Sequence, residues 1–151
     1  MAFAQNIRID LTYKGTRFRG FAENPGVRTV EGELRSALQQ VLGQSVDLAV
    51  AGRTDAGVHA LGQVVSFRID GAEVDSERLR NSLNRLCGPD IQIREIREVD
   101  TDFDARFTAV QRLYRYNLLN SLIADPLLSL IHISEPTRRY AISYAVFCLK
   151  K

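Results

Sequence analysis

Cysteine and histidine are scarce in this sequence, which limits the chemistry that it can host. The 151 residues include two cysteines, Cys87 and Cys148, and two histidines, His59 and His132. None of the four stands at the spacing of a zinc site, and two cysteines so far apart do not indicate a disulfide framework. We therefore expect a protein that uses neither a metal nor another cofactor.

Long apolar runs are also missing, and with them the sequence signs of a membrane protein. No stretch approaches the roughly 20 apolar residues of a membrane-spanning helix. The start, Met-Ala-Phe-Ala-Gln-Asn, lacks the charged and apolar regions of a signal peptide. We expect a cytoplasmic protein without membrane contact. A composition of 45% hydrophobic and 25% charged residues is that of an ordinary globular domain.

Hydrophobic periodicity predicts an α+β fold over residues 1–100. Alternating or apolar runs predict strands at 7–13, 46–50, 64–69 and 91–96. One predicted helix follows Thr29 and stops at Gly43; another begins at Asp75 or Ser76 and ends at Gly88-Pro89. The second helix would carry Leu79, Leu83 and Leu86, with Cys87 as a core residue at its end. The order β-α-β-β-α-β is that of ferredoxin-like domains, with both helices on one face of an antiparallel sheet. The other face would be free, as in many RNA-binding modules.

A polar, glycine-rich stretch, residues 51–63, separates the second and third predicted strands. Its sequence is Ala-Gly-Arg-Thr-Asp-Ala-Gly-Val-His-Ala-Leu-Gly-Gln. Glycine permits close approach of the backbone to a ligand. Asp55 is its one acid, and Arg53 would point the same way if the segment is extended. A solvated hairpin with a surface ion pair is the simpler interpretation of such a loop.

Residues 101–127 form a second unit, predicted to be the opening strands of a truncated α/β domain. Residues 112–118, Arg-Leu-Tyr-Arg-Tyr-Asn-Leu, alternate aromatic with basic side chains. That pattern fits a strand with one solvated face, and it also fits stacking on bases beside phosphates.

Residues 128–151 differ in character from the rest. They resemble the in-frame translation of a transposase-type sequencing adapter, interrupted by a barcode-sized gap and running into a poly-A end. Such a segment would have no part in the native fold. Without the tail's four Lys/Arg and one Glu, the chain has 16 basic and 17 acidic residues, so its net charge of +2 becomes −1. Any basic surface must then come from local clustering of arginines: Arg17, Arg19, Arg53, Arg106, Arg112 and Arg115.

The string from Gly52 to Ala60 resembles the signature of the tRNA pseudouridine synthase A family. Further matching strings are residues 13–21, 29–32, 62–65, 103–107 and 112–116. The resemblance departs from the family after Gly20, where a Trp-Gln pair is usual and this chain has Phe21-Ala22-Glu23.

The resemblance implies a cofactor-free homodimer that isomerises uridine to pseudouridine in the anticodon arm of tRNA. It implies that Asp55 is the catalytic aspartate and that Tyr114 packs on the target base. Arg53 would hold the flipped nucleotide and pair with Asp55. Arg106 and His59 are further candidates for substrate binding, and for His59 we favour a hydrogen bond that fixes the loop over a role as general base. Because the family's later motifs are missing, we expect this chain to be inactive.

The chemistry is consistent with the residues. A carboxylate can act as nucleophile at a glycosidic centre, and a glycosidase would need a second carboxylate, which the loop lacks. Attack at C1′, attack at C6 and proton abstraction all remain open for Asp55. A non-catalytic RNA-binding module on the open sheet face is the alternative, and a small acid-base hydrolase is the third.

Overall fold

The computed structural model describes residues 4–71 and 73–115, and the backbone of two short strands farther along. Its strands are β1 (Ala4–Tyr13), β2 (Ala49–Val50), β3 (Ala60–Asp70), β4 (Ile91–Val99), β5 (Ile131–His132) and β6 (Ala141–Ile142); its α-helices are α1 (Val30–Leu42) and α2 (Ser76–Cys87). β5 and β6 pair antiparallel with each other. The side chains of the predicted tail, residues 128–151, lie outside the described residues.

The first four strands form one antiparallel sheet in the order β2-β3-β1-β4. β1 lies at the centre, where it pairs with β3 on one side and β4 on the other. With the element order β-α-β-β-α-β, this arrangement confirms the predicted α+β class and is consistent with a ferredoxin-like domain.

The core lies between the sheet and the two helices. Alternate residues of β1 point into it because successive side chains of a strand face opposite sides. The central buried side chains are Ile7, Ile9, Leu11 and Tyr13 from β1, Val30, Leu34 and Leu38 from α1, Leu79, Leu83 and Cys87 from α2, and Val65, Phe67, Ile91 and Ile93 from β3 and β4. One continuous cluster therefore holds both helices on the same face of the sheet.

The helix ends follow the predicted capping residues. The Thr29 side chain accepts a hydrogen bond from the Gly32 N–H at the start of α1, and Gly43 ends the helix with a left-handed φ of 73°. Asp75 caps α2 by accepting from the N–H groups of Glu77 and Arg78. A Cβ on Gly32 would lie 2.9 Å from the Thr29 hydroxyl oxygen, so this glycine serves close packing at the cap.

Some predicted details are wrong. The second strand pairs only at Ala49 and Val50 among the described residues, whereas Val46 is buried without joining the ladder. Its apolar signal thus reflects burial. In α2, Leu86 is 44% exposed, whereas Cys87 is buried at the helix end as predicted. The unequal spacing of Ile93 and Ile96 is explained by a bulge, because the register of β4 against β1 shifts there.

The second face of the sheet is not free, contrary to the prediction. The segment after β4 crosses this face, where Phe103 and Ala105 pack on Ala51 and Val64. The Asn6 side chain donates to the carbonyl of Phe103 at 2.8 Å, and the Ala105 N–H donates to the Ser66 hydroxyl at 3.0 Å. Residues that a bare sheet would expose are consequently covered.

A bidentate ion pair lies under this covering segment. The Arg8 guanidinium donates to both carboxylate oxygens of Asp10, at 2.7 and 3.0 Å, and sits over the Phe103 ring at 5.5 Å. Residues 101–115 contain turns but no strand, so the strand predicted at 112–118 is absent from its described part, 112–115. The remainder of the unit predicted at 101–127 lies outside the described residues.

The Thr29 cap gives a test of the fold. We expect Thr29→Ala to lower the free energy of unfolding by about 1 kcal/mol, because the Gly32 N–H loses its acceptor. Thr29→Ser, which keeps the hydroxyl, is the matched control and should change stability much less. Urea denaturation followed by circular dichroism measures both. Equal losses in the two variants would contradict the capping role.

Candidate active-site loop and groove

The glycine-rich stretch forms a loop over residues 51–59, since β3 already begins at Ala60. Residues 15–21 hold this loop from behind through backbone contacts. The Phe21 N–H donates to the Thr54 carbonyl at 2.9 Å, and the Gly57 N–H donates to the Phe18 carbonyl at 3.2 Å. Backbone groups on both sides of Asp55 are therefore fixed by the same neighbouring segment.

Glycines make this contact possible. A Cβ on Gly15 would lie 1.9 Å from the Val58 carbonyl oxygen, a distance that no side chain can adopt. Gly20 has a φ of 107° and approaches the Thr54 carbonyl, where a Cβ would come within 3.1 Å. These glycines lie more than thirty residues before the loop in sequence, yet they determine how closely the two segments can pack.

Asp55 opens a tight turn at the tip of the loop. Its carbonyl accepts a hydrogen bond from the Val58 N–H at 3.2 Å, and Gly57 takes a φ of 79°, the value that the third position of a type II turn requires. The Asp55 side chain is exposed, whereas that of Thr54 is buried. The turn thus presents the carboxylate to solvent while its neighbour anchors the loop.

His59 lies behind the loop. It is 6% exposed, and its Nδ1 accepts a hydrogen bond from the Gly15 N–H at 3.1 Å. An acceptor at Nδ1 requires the neutral ring with its proton on Nε2. Burial lowers the pKa of His59 below its ordinary value of 6.5, and the positive charge of Lys14 adds to this effect. The contact fits the loop-fixing role rather than direct contact with substrate.

A buried polar network holds the other end of the loop. Gln63 is fully buried; its Nε2 donates to the Gly52 carbonyl at 2.6 Å and to the Tyr13 hydroxyl at 3.4 Å. The hydroxyls of Tyr13 and Thr54 are 2.7 Å apart and share a hydrogen bond. Burial raises the pKa of Tyr13 above 10.0, although its hydrogen bonds with Thr54 and Gln63 act the other way. The sequence prediction assigned none of these residues a positioning role.

A groove of about 920 Å³ lies beside the loop, along the β2 edge of the sheet. Three of the predicted substrate-binding residues line it: Arg53, Arg106 and Tyr114. Tyr114 is 45% exposed, so a large part of its ring is accessible. The Arg106 guanidinium lies 5.2 Å from the ring centre of the exposed Phe107. Arginines and aromatic rings share one concave surface here.

Arg112 fastens the far side of the groove to the loop. Its guanidinium donates to the carbonyl of Ala51 and, at 3.0 Å, to the carbonyl of Arg106. Arg68 also lines the groove, and Asp47 and Asp104 are its acidic members. Arg17, by contrast, pairs with Asp90 outside this lining, at 3.7 Å. The predicted arginine clustering is thus found for Arg53, Arg106 and Arg112.

The structure does not unite all five predicted site residues. Asp55 and His59 are absent from the groove lining. In the described part of the chain, Arg53 and Asp55 do not form the expected salt bridge. Both side chains are exposed, and ion pairs between exposed side chains contribute little.

Comparison with known proteins identifies the family. The profile described as tRNA pseudouridine synthase matches residues 11–108, a span that contains the whole loop and the residues that hold it. The chain belongs to the tRNA pseudouridine synthase family. Phe21, which stands where the family usually has Trp, is fully buried against Tyr13 with ring centres 6.1 Å apart. This departure therefore lies in the core.

Individual relatives agree with the family assignment. The tRNA pseudouridine synthase A of Chlorobium luteolum is 46% identical over 116 residues, which are 76% of this chain and 46% of the relative. The protein of the same name from Dictyoglomus thermophilum is 42% identical over 117 residues, 77% of this chain and 48% of the relative. The chain spans about half the length of the curated relatives it matches.

Within residues 4–71 and 73–115, no group of three or more His, Cys, Asp or Glu side chains is arranged to hold a metal ion. Across the same residues, no helix has the length and apolar character needed to cross a membrane.

His59 predicts a pH dependence of stability. The unfolded chain takes up a proton near pH 6.5, whereas the folded chain does so only at lower pH because the pKa is lowered. The contribution of His59 is therefore complete above about pH 6.5 and declines as the pH falls below it. We expect His59→Asn, whose Oδ1 can still accept from Gly15, to lose less stability between about pH 7.5 and about pH 5.5. Urea titrations at both pH values measure this, and equal losses in the variant and the parent chain would contradict it.

Proposed function

We propose that this domain belongs to an enzyme that isomerises uridine to pseudouridine in tRNA, with Asp55 as the catalytic residue, and that the chain as it stands is inactive. The observation that supports this most directly is that neighbouring residues hold the loop in place by hydrogen bonds. Asp55 projects from a turn whose neighbours are fixed by residues 15–21 and by the Tyr13–Gln63 network. Catalytic groups need such support from rigid surroundings. The type of reaction is inferred from membership of the tRNA pseudouridine synthase family.

The groove supplies contacts suited to RNA. Arg53 and Arg106 would bind phosphates, since arginine forms paired hydrogen bonds with phosphate oxygens. The accessible ring of Tyr114 would stack on the uracil once it has left the helix. Arg53 lines the groove and belongs to the same loop as Asp55, so a nucleotide held by Arg53 would lie against this loop.

The reaction exchanges one bond for another without net hydrolysis. The bond from N1 of uracil to C1′ breaks and a bond from C5 to C1′ forms; the proton on C5 is released and N1 is protonated. Asp55 is the one acid in residues 51–63. A single carboxylate suits this isomerisation, whereas glycosidases use two. Attack at C1′, attack at C6 and abstraction of the C5 proton each use that carboxylate.

The resemblance to the family also implies a substrate region, a working assembly and a location in the cell. We take the anticodon arm of tRNA as the substrate region, a homodimer as the working assembly and the cytoplasm as its location. We further propose that residues 101–127 begin a second domain and that residues 128–151 are adapter-derived. On this view turnover needs the part of the relatives' length that this chain does not span.

A second function, RNA binding without catalysis, is favoured by one observation. The groove gathers arginines and aromatic rings, but Asp55 is not part of its lining. A binding module would need those side chains and would tolerate loss of the carboxylate.

The variant Asp55→Asn distinguishes the two functions. It removes the charge with little change of shape, so turnover by the full-length enzyme should fall by several powers of ten, as when a covalent nucleophile is deleted. Binding of tRNA should persist because phosphate contacts dominate affinity. Tyr114→Phe should reduce turnover less than Tyr114→Ala if stacking matters most. The assays are tritium release from uridine labelled at C5 and filter binding at fixed salt.

Asp70→Asn is the matched control for this experiment. Asp70 is an exposed aspartate at the opposite end of β3 from the loop, so its replacement should leave turnover unchanged. Parent-like tritium release by Asp55→Asn would exclude the catalytic role and favour the binding module.

The nature of residues 128–151 can be tested at the DNA level. We expect the gene amplified from its source to diverge from this sequence near codon 128 and to continue with a second-domain sequence. Reading through the junction decides the matter. Finding the same codons in genomic DNA would show that the tail is native.

A further inference from the structure

Hydrogen-bond directions in the buried network can be assigned from its partners. The Val64 N–H donates to Gln63 Oε1 at 3.2 Å, while Gln63 Nε2 faces the Gly52 carbonyl. The opposite amide orientation would place two donors against each other and two acceptors against each other, so the side chain has a single satisfied orientation. Both Nε2 protons are then used, one on Gly52 and one on Tyr13.

The donor direction of the Tyr13 hydroxyl follows from its two partners. Because its oxygen accepts from Gln63, its own proton has the Thr54 oxygen as its acceptor at 2.7 Å. The reverse direction, from Thr54 to Tyr13, would leave the Tyr13 proton facing an amide nitrogen that cannot accept it. The chain of donors therefore runs from Gln63 through Tyr13 to Thr54, the residue immediately before Asp55.

We propose that Gln63 is a positioning residue for Asp55, acting through the Gly52 carbonyl and, by way of Tyr13, through the Thr54 hydroxyl. Its hydrogen bonds hold the residues on both sides of Arg53, and the second of these residues immediately precedes Asp55. A fully buried amide with these partners cannot touch substrate, so its effect on the reaction is geometric. The inference rests on the proposed catalytic role of Asp55.

The first test asks whether Gln63 orders the loop. Gln63→Met keeps the length of the side chain and removes its donors. Amide hydrogen exchange of Phe21, Gly57 and Val58, whose N–H groups bond to or within the loop, should accelerate by at least about tenfold beyond the change in global stability. Asn84→Ala is the control, because Asn84 holds both backbone polar groups of Ile93 and makes no hydrogen bond to the loop or to Gln63 among the bonds described. Unchanged local exchange in Gln63→Met would overturn the proposal.

The second test separates positioning from stability. In the full-length enzyme, Gln63→Met should lower kcat by about 10- to 100-fold with KM nearly unchanged, since a small displacement of a reacting group has costs of this size. Asn84→Ala should lower stability and leave kcat unchanged. Tyr13→Phe removes a single oxygen and should lower kcat less; it decides the matter if Gln63→Met does not fold.

The outcomes distinguish this inference from the proposed function. Loss of turnover in Asp55→Asn together with parent-like kcat in Gln63→Met and Tyr13→Phe would overturn the positioning role alone. Retained turnover in Asp55→Asn would overturn the catalytic role of Asp55, and the positioning proposal with it.

Discussion

The contact between two backbone segments, residues 15–21 and residues 54–58, is the constraint on which the site depends. The glycines at positions 15 and 20 allow carbonyl groups of the loop to approach where a Cβ would collide. The approach lets the Phe21 and Gly57 N–H groups bond across the two segments. The first segment continues directly from the central strand β1. The sheet therefore restricts the movement of this segment and of the loop bonded to it. An exposed carboxylate is thereby held on a stable base.

The covered face of the sheet has a related role. Phe103 and Ala105 pack where a free surface was expected, and this brings residues 106–114 beside β2 and the loop. Arg112 then bonds to the Ala51 carbonyl, which ties this segment to the start of the loop. The groove therefore exists because the chain folds back over the sheet after β4. Its arginines include Arg53 of the loop and Arg106, which lie 53 positions apart in the sequence.

Local signals allowed most of the fold to be predicted. The caps at Thr29 and Asp75 and the alternation in β1 depend on neighbouring residues, and each was found as expected. The limits of the loop could not be predicted, because Gln63 is polar yet fully buried and belongs to β3. Its partners, Gly52 and Tyr13, are set by tertiary packing. The Arg53–Asp55 pair was misjudged for the same reason, since spacing indicates a shared direction and not a contact.

The described residues position a carboxylate but do not shield it. Asp55 is exposed, and in water its attraction to an arginine is weak and easily screened. Chemistry at a glycosidic bond is favoured when water is excluded, because electrostatic interactions then strengthen. Under the proposed function, the loop and groove would supply geometry and RNA contacts, while exclusion of water would come from what covers them, either the bound RNA or further protein. The loop can therefore hold the carboxylate in a fixed position while the carboxylate still lies outside the groove before substrate binds.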